Sequence, residues 1–262
     1  MNSVNRTLYI PLYGKAYVSR KGIILHDAKA EDIWAAEQFP LKGKSRSKWL
    51  AYFMGMRSAV FDRLLEANMH AYPDAVILHI GCGMDSRVER VGTHSHRWYD
   101  LDFPEVIRER KRYYQESPEY RMIPSDIREL QWLNALPKAG RAIILMEGVS
   151  MYLSPDELKT VLQALTGHFD QIQLLMDCYT EFAAKASKYK NPIHDVGVTL
   201  VYGLDDPKKM EDSTGILFVK EHEMTPESLI AQLQGIERTV FRRVYAGKLA
   251  KKMYRIYEYG TV

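Results

Sequence analysis

AVILHIGCGMDSR occupies residues 75–87, and its two halves differ in character. Five of the first six residues are apolar and three of them are β-branched, which predicts a buried strand. Gly81 and Gly83 follow at once, and glycines at this point allow a tight turn whose backbone can approach a ligand. The stretch therefore predicts the first strand and turn of a doubly wound α/β sheet, with a ligand at the carboxyl end of the strand.

Further strands are predicted on the carboxyl side of this turn. Their sequences are RWYDLD (97–102), YRMIPSD (120–126), RAIILMEG (141–148) and QIQLLMDCY (171–179), with helical segments between them. Parallel neighbours need crossover helices, so this alternation predicts a parallel sheet with helices on both faces. GILFVKEHEM and KMYRIYEYG add two strands around a helix near Pro226, so we expect a mostly parallel seven-stranded sheet.

No repeat or low-complexity linker divides the chain, which favours a single domain. The segment after the fifth strand is about twice the usual connection length and contains Gly197 and Gly203, which favours a lid or substrate-binding insertion. The expected parts are an N-terminal helical extension (1–73), a ligand-binding core (74–179), the insertion (180–213) and the C-terminal strands with a helix (214–262).

Composition excludes several classes of protein. The 262 residues carry a formal net charge of +3, too slight to indicate a nucleic acid or an anionic membrane as partner. The first residues lack the apolar run of a signal peptide, and no apolar run is long enough to span a bilayer. Two cysteines favour a reduced, cytoplasmic setting, and no cluster of His, Cys and Asp has the spacing of metal ligands.

The residues around the glycine turn indicate what kind of nucleotide it binds. Asp102 ends the second predicted strand nineteen residues after Gly83, close to the spacing at which an acid accepts bonds from ribose hydroxyls. Asp100 is the alternative acid, and Asp102 could instead cap the next helix. The third glycine of a dinucleotide site is replaced by Ser86, and Asp85 would repel a diphosphate but suit an ammonium group. These features favour S-adenosylmethionine over NAD.

The chain resembles the leucine carboxyl methyltransferase superfamily, which includes protein-phosphatase carboxyl methyltransferases and bacterial polyketide O-methyltransferases. The resemblance covers roughly residues 7–204 and includes the opening TLYIPLYGKAY and the helix that carries Arg57. Its four ordered motifs are GCGMDSR, WYDLDFPEVIRERK, PSDIREL and MEGVSMYL. It implies the class I S-adenosylmethionine-dependent methyltransferase fold. The seven predicted strands match the sheet of that fold better than the six-stranded sheet of a dehydrogenase.

The resemblance also implies roles for individual residues in binding the cofactor. Arg57 would pair with the methionine carboxylate, with Lys15 as a second basic residue near it. Gly81 would let the cofactor pass over the first strand. The other implied contacts are Gly83 and Asp85 in the turn, Asp102 on the ribose, Asp126 and Ile127 on the adenine, and Glu147 on the α-amino group or at the substrate entrance.

Several of these residues have structural alternatives. Arg57 could be a surface arginine, and Asp126 could cap the helix that begins at Ile127. Glu147 ends a buried strand, where a carboxylate is costly without a partner, and this favours a functional role. His79 is expected to be a core histidine and Cys82 a small packing residue.

The predicted reaction is O-methylation of a small organic acceptor by S-adenosylmethionine, which becomes S-adenosylhomocysteine. A carboxylate with a pKa near 4 needs no general base, whereas a phenol with a pKa near 10 does. The candidate bases are Tyr152, Tyr179, His194 and Tyr202, and none has the spacing of a fixed dyad, which favours a carboxylate without deciding the question. The alternatives are a protein C-terminal carboxyl methyltransferase and a non-catalytic or dinucleotide-binding Rossmann-like protein.

Overall fold

The computed structural model describes residues 8–37, 39, 41, 43–187 and 200–261. The strands are β1 (Val76–Ile80), β2 (Trp98–Asp102), β3 (Tyr120–Pro124), β4 (Arg141–Met146), β5 (Gln171–Tyr179), β6 (Leu217–His222) and β7 (Tyr254–Gly260). The α-helices are α1 (Tyr9–Arg20), α2 (Ala28–Glu37), α3 (Lys48–Ala71), α4 (Arg87–Arg90), α5 (Pro104–Arg110), α6 (Pro155–His168), α7 (Glu181–Ala186), α8 (Glu227–Ile230), α9 (Gly235–Val244) and α10 (Gly247–Lys251).

The seven strands form one sheet in the order β3-β2-β1-β4-β5-β7-β6. The first five strands in chain order pair in parallel, and β7 runs antiparallel to both β5 and β6. This arrangement confirms the predicted mostly parallel seven-stranded sheet. The predicted fourth strand was too long, because β4 ends at Met146 and leaves Glu147 and Gly148 in the turn that follows.

Both faces of the sheet are covered, as a parallel sheet requires. Every residue of β1 is buried. One hydrophobic cluster joins Phe61 and Leu65 of α3 to one face. A second joins Leu162 and Leu165 of α6 to the other. The continuous apolar run of β1 is thus explained by its central position.

Helix α6 begins with Ser154 as its N-cap. The Ser154 side chain accepts a hydrogen bond from the backbone of Glu157, and the Glu157 carboxylate accepts one from the backbone of Ser154. This capping box fixes the turn between β4 and α6, which forms one wall of the site described below.

The described N-terminal residues are mainly helical, as expected, and α1 packs closely on α3. The predicted insertion starts with α7, and residue Gly203 pairs with Tyr179 at the end of β5. Residues 188–199 of the insertion, including His194, lie outside the described residues. Among the helices that the structure describes, none has both the length and the apolar character needed to cross a membrane.

Candidate active site

A cavity of about 630 Å³ opens at the carboxyl ends of β1, β2 and β4. In the sheet β1 lies between β2 and β4, so the cavity sits where the strand order reverses, which is the usual ligand site of such sheets. Its lining includes these sequence-predicted residues: Lys15, Arg57, Gly81, Gly83, Asp85, Asp102, Asp126, Ile127, Glu147, Tyr152 and Tyr179. Of the other two candidate bases, Tyr202 is not among the described lining residues, and His194 is not described.

The glycine turn forms the floor of the cavity. Gly81 has a φ of +68°, a conformation that side chains rarely adopt, and a Cβ added there would collide with Val149 in the turn after β4. The Gly83 backbone N–H donates to Asp102 Oδ2 over 2.7 Å. The turn is therefore fixed both by its backbone conformation and by the acid at the end of β2.

Asp102 is oriented by two backbone donors. Oδ1 accepts from the N–H of Phe103 over 2.8 Å, and Oδ2 accepts from Gly83. Burial raises the pKa of Asp102 to about 6, although both backbone bonds favour the ionised form. A carboxylate held in this way at a strand end can accept further bonds from a pair of hydroxyl groups.

Replacing Asp102 by alanine is expected to weaken binding of S-adenosylhomocysteine by roughly tenfold to a hundredfold, since hydrogen bonds to a charged group contribute about 1.5–3 kcal/mol. The protein should stay folded because the residue ends a strand at the cavity. Calorimetric titration measures the change. An alanine variant with wild-type affinity would contradict a role in ribose binding.

The wild-type affinity should also fall as the pH drops below about 6, because the protonated Asp102 accepts hydrogen bonds poorly. The sign follows from linkage: a ligand that prefers the ionised acid lowers its pKa, so acid opposes binding. An Asp102→Asn variant should lose this part of the pH dependence.

Buried ion pairs connect the wall of the cavity to its floor. Arg57 Nε lies 2.9 Å from Glu147 Oε1, and Arg57 Nη1 lies 3.1 Å from Asp177 Oδ2. Glu147 also binds Arg87, which lies 3.2 Å from Asp85. Burial alone would raise the pKa of Glu147, but Arg87 and Arg57 outweigh it and lower this pKa to about 2.

These pairs refine two predictions. Arg57 is only 4% exposed, so the alternative of a surface arginine is wrong. It already shares its guanidinium with two acids, and a ligand carboxylate would therefore join an existing ion pair. Asp85 has Lys15 at 3.0 Å as well as Arg87 and Arg90, and these cations hold the pKa of Asp85 well below its usual value against the effect of burial. Its negative charge is largely neutralised within the protein.

Asp126 and Ile127 lie at the end of β3, on the same side of the cavity as Asp102. Asp126 caps the short helix Ile127–Glu129 and pairs with Arg128, so the capping alternative is correct. It also lines the cavity, so a contact with the adenine stays a prediction that the capping role does not contradict. The buried side chain of Ile127 provides an apolar surface suited to a planar base.

The opposite side of the cavity is aromatic. Tyr179 and Tyr254 meet edge to face with ring centroids 4.9 Å apart, and Phe53 lies 6.1 Å from Tyr254. Tyr152 and Leu50 complete this wall. Burial raises the pKa values of Tyr179 and Tyr254 above the ordinary value, so both hydroxyls stay protonated.

Sequence reasoning missed Tyr254 and Asp177. Tyr254 Oη accepts from Arg57 over 2.9 Å, a contact across 197 residues that no local pattern reveals. Asp177 could have been found from the sequence, because it is an acid next to the apolar residues of strand β5, where a carboxylate needs a partner.

His79 and Cys82 are buried in the floor, as expected for core residues. His79 Nε2 lies 3.3 Å from Arg87 Nη1, and Nδ1 lies 3.5 Å from Asp100. Burial raises the pKa of the Cys82 thiol well above its usual value, which keeps it unreactive. Within the part of the chain that the structure describes, no group of His, Cys, Asp and Glu could hold a metal ion.

The chain matches the family model for leucine carboxyl methyltransferase over residues 9–166. The polyketide synthesis O-methyltransferase TcmP of tetracenomycin formation in Streptomyces glaucescens is 26% identical over 243 residues, covering 92% of this chain and 90% of that protein. The S-adenosyl-L-methionine-dependent methyltransferase dpfgK of Gibberella zeae is 27% identical over 183 residues, covering 64% of this chain and 61% of that protein.

Solved structures are similar in fold at low identity. Magnesium protoporphyrin IX methyltransferase from Synechocystis PCC 6803, crystallised with S-adenosylhomocysteine, has a TM-score of 0.52 at 12% identity over 90% of this chain and 100% of that one. A DUF574 family protein from Streptomyces avermitilis has a TM-score of 0.59 at 9% identity over 90% of each chain. These likenesses confirm the predicted sheet class.

Proposed function

The chain belongs to the leucine carboxyl methyltransferase family, and on that premise we propose that it transfers a methyl group from S-adenosylmethionine to a carboxylate oxygen of a small organic acceptor with an apolar face. S-adenosylmethionine is the cofactor of the family. The name of the tetracenomycin relative, an O-methyltransferase of polyketide synthesis, supports methylation of an oxygen on a small organic acceptor.

The residues of the cavity fit this cofactor. Gly81 leaves room over β1 that a Cβ would fill, and the carboxylate of Asp102 faces the cavity beside the turn. Asp102 would hold the ribose hydroxyls, Asp126 and Ile127 the adenine, and Arg57 the methionine carboxylate. When bound, the cofactor supplies a methyl group on a sulfonium centre that a nucleophilic oxygen displaces in line.

A dinucleotide fits less well. The position of a third glycine is held by Ser86, whose hydroxyl is buried between Asp27 and Arg90. The helix that follows, α4, has only four residues, too short for the strong N-terminal dipole that favours a diphosphate.

The observation that carries the choice of a carboxylate is the chemistry of the aromatic wall. The hydroxyl groups of this wall belong to tyrosines. Burial raises the pKa values of Tyr179 and Tyr254, so these two hydroxyls act as hydrogen-bond donors rather than as bases. Glu147 has a pKa of about 2 and two arginine partners, so it is a poor base. Among the described residues of this wall, none is suited to deprotonate a phenol, whereas a carboxylate arrives already ionised.

Asp102 has a pKa of about 6, which would suit a general base, but it lies away from the aromatic wall. Three strand spacings, from β2 through β1 and β4 to β5, separate it from Tyr179, which corresponds to about 14 Å. The chain's own contribution to catalysis is therefore to bind both partners, align the acceptor oxygen and exclude water.

The test uses a panel of aromatic carboxylic acids, each paired with a phenol of the same ring system, and cofactor labelled in its methyl group. Labelled methyl esters, which release methanol in alkali, are expected. For these acids kcat/KM should vary little between pH 6.5 and 9, because the acceptor is ionised throughout. Alkali-stable ethers, with kcat/KM rising towards the pKa of the phenol, would contradict the proposal. Label in protein would favour a protein carboxyl methyltransferase.

A further inference from the structure

Asp177 is buried behind the cavity, near the carboxyl end of β5. Its side chain is fully buried, and it is not among the described residues that line the cavity. We propose that Asp177 is a positioning residue, which holds Arg57 and the turn after β4 in the arrangement that receives the amino-acid part of the cofactor. This inference rests on the proposed function.

The contacts of Asp177 reach two elements of the cavity wall at once. Oδ1 accepts the backbone N–H of Gly148 over 2.6 Å, and Oδ2 accepts from Arg57 Nη1 over 3.1 Å. Gly148 has a φ of +74° and directly follows Glu147. One carboxylate therefore ties α3, which carries Arg57, to the turn that carries Glu147.

Arg57 is fixed from two sides by acids, one in the turn after β4 and one on β5. Glu147 binds its Nε over 2.9 Å, and Asp177 binds Nη1. A Cβ added at Gly148 would lie 3.5 Å from Arg57 Nη1 and 3.6 Å from Nη2, so this part of the turn lies beside the end of the guanidinium. Glu147 and Asp177 thus hold Nε and Nη1 and fix the plane of the guanidinium, and Nη2 is the nitrogen that neither acid holds and that can donate to a ligand carboxylate.

The effect of Asp177 should be confined to one end of the cofactor. The groups assigned to ribose and adenine lie at the ends of β2 and β3, beyond β4 and β1 in the sheet. An uncharged side chain at position 177 keeps one acceptor oxygen and carries a donor in place of the other, so either the Arg57 guanidinium or the N–H of Gly148 loses its acceptor and the ion pair is lost. Ligands that carry the amino-acid part would therefore lose affinity, and ligands without it would not.

The charged and titratable groups that face Asp177 come from three other elements. They are Arg57 on α3, Glu147 after β4 and Tyr254 on β7. Burial raises the pKa of Asp177 to about 6 with the help of Glu147, against the opposing effects of Arg57, the Gly148 N–H and Tyr254. Mild acid should therefore weaken the same contacts in the unaltered protein.

Calorimetric titration with two ligands tests the proposal. S-adenosylhomocysteine contains the amino-acid part, and 5′-methylthioadenosine keeps the nucleoside and the sulfur but lacks it. Asp177→Asn is expected to weaken S-adenosylhomocysteine at least tenfold and to leave 5′-methylthioadenosine within about twofold of wild type. Ser150→Ala is the matched control, because the buried Ser150 hydroxyl donates to the backbone oxygen of Asp177 and not to its carboxylate. It should keep both affinities.

A second measurement needs no variant. In the wild type, the preference for S-adenosylhomocysteine over 5′-methylthioadenosine should decline between pH 7.5 and 5 as Asp177 is protonated. Titration of Asp102 affects both ligands equally because both contain the ribose, so it cancels in the ratio.

A ratio that does not change with pH, or an equal loss of both ligands in Asp177→Asn, would overturn the proposal. If Asp177→Asn does not fold, the wild-type ratio decides. A wild-type protein that binds neither ligand would instead overturn the proposed function, and the inference with it.

Discussion

Gly81→Ala is expected to abolish measurable binding of S-adenosylhomocysteine. The residue has a φ of +68°, and an L side chain in this region costs about 1–2 kcal/mol. The larger effect is steric, because the new Cβ would collide with Val149. Either the Val149 side chain must rotate or one of the two turns must move, and all of these border the cavity. We expect the Kd to rise more than a hundredfold in a calorimetric titration.

Gly22→Ala separates backbone strain from the collision. Gly22 has a similar φ of +64°, but no atom lies within 4 Å of a Cβ added there. This variant should lose about 1 kcal/mol of stability and bind S-adenosylhomocysteine like the wild type. If Gly81→Ala bound the ligand within threefold of the wild type, the close approach of the two turns would not matter for the cofactor.

The glycine turn and its acid could be predicted from sequence because they depend on local order. A strand, a turn and a second strand end follow each other along the chain, and parallel pairing then brings Gly83 and Asp102 together. That Glu147 has a partner could be predicted for a different reason, because a carboxylate at the end of a buried apolar strand is costly without one. The parallel sheet followed from the alternation of strands and helices.

The partners of these residues could not be predicted, because they depend on tertiary contacts. Arg57 meets Glu147 across 90 residues and Asp177 across 120 residues. The sequence suggested a guanidinium available to a ligand, whereas packing of α3 on the sheet gives it two acids. The domain boundaries and the acceptor stay predictions, and the candidate base His194 falls outside the described residues.

Arg87 belongs to the motif that first indicated the fold, yet the sequence assigned it no role. Its side chain is fully buried and contacts acids on three segments: Asp62 on α3 at 2.6 Å, Asp85 in the glycine turn at 3.2 Å, and Glu147 after β4. It therefore joins the floor of the cavity to its wall. When Arg87 is removed, each of these acids still has another cation beside it. The remaining cations neutralise less of the negative charge than Arg87 and they do together.

Arg87→Met is expected to destabilise the fold by about 3–5 kcal/mol, the usual cost of removing one partner from buried ion pairs, because part of the negative charge of the acids is then left uncompensated. Methionine keeps much of the apolar stem, so the loss reports mainly on charge. For a chain of this length the melting temperature should fall by roughly 6–20 °C. Arg108→Met is the control, because Arg108 is exposed on α5, and its melting temperature should change by less than about 2 °C.

The loss in Arg87→Met should also depend on pH, and this separates charge from packing. Glu147 is ionised in the folded wild type down to a pKa of about 2, below its value of 4.5 in an unfolded chain. A lowered pKa gives stability that is fully present above pH 4.5 and is lost as the pH falls towards 2. The difference in melting temperature between wild type and variant should therefore be largest near pH 7 and shrink below about pH 4. A difference that stays constant with pH would mean that Arg87 stabilises the fold through packing, and that Glu147 owes its ionisation to Arg57 alone.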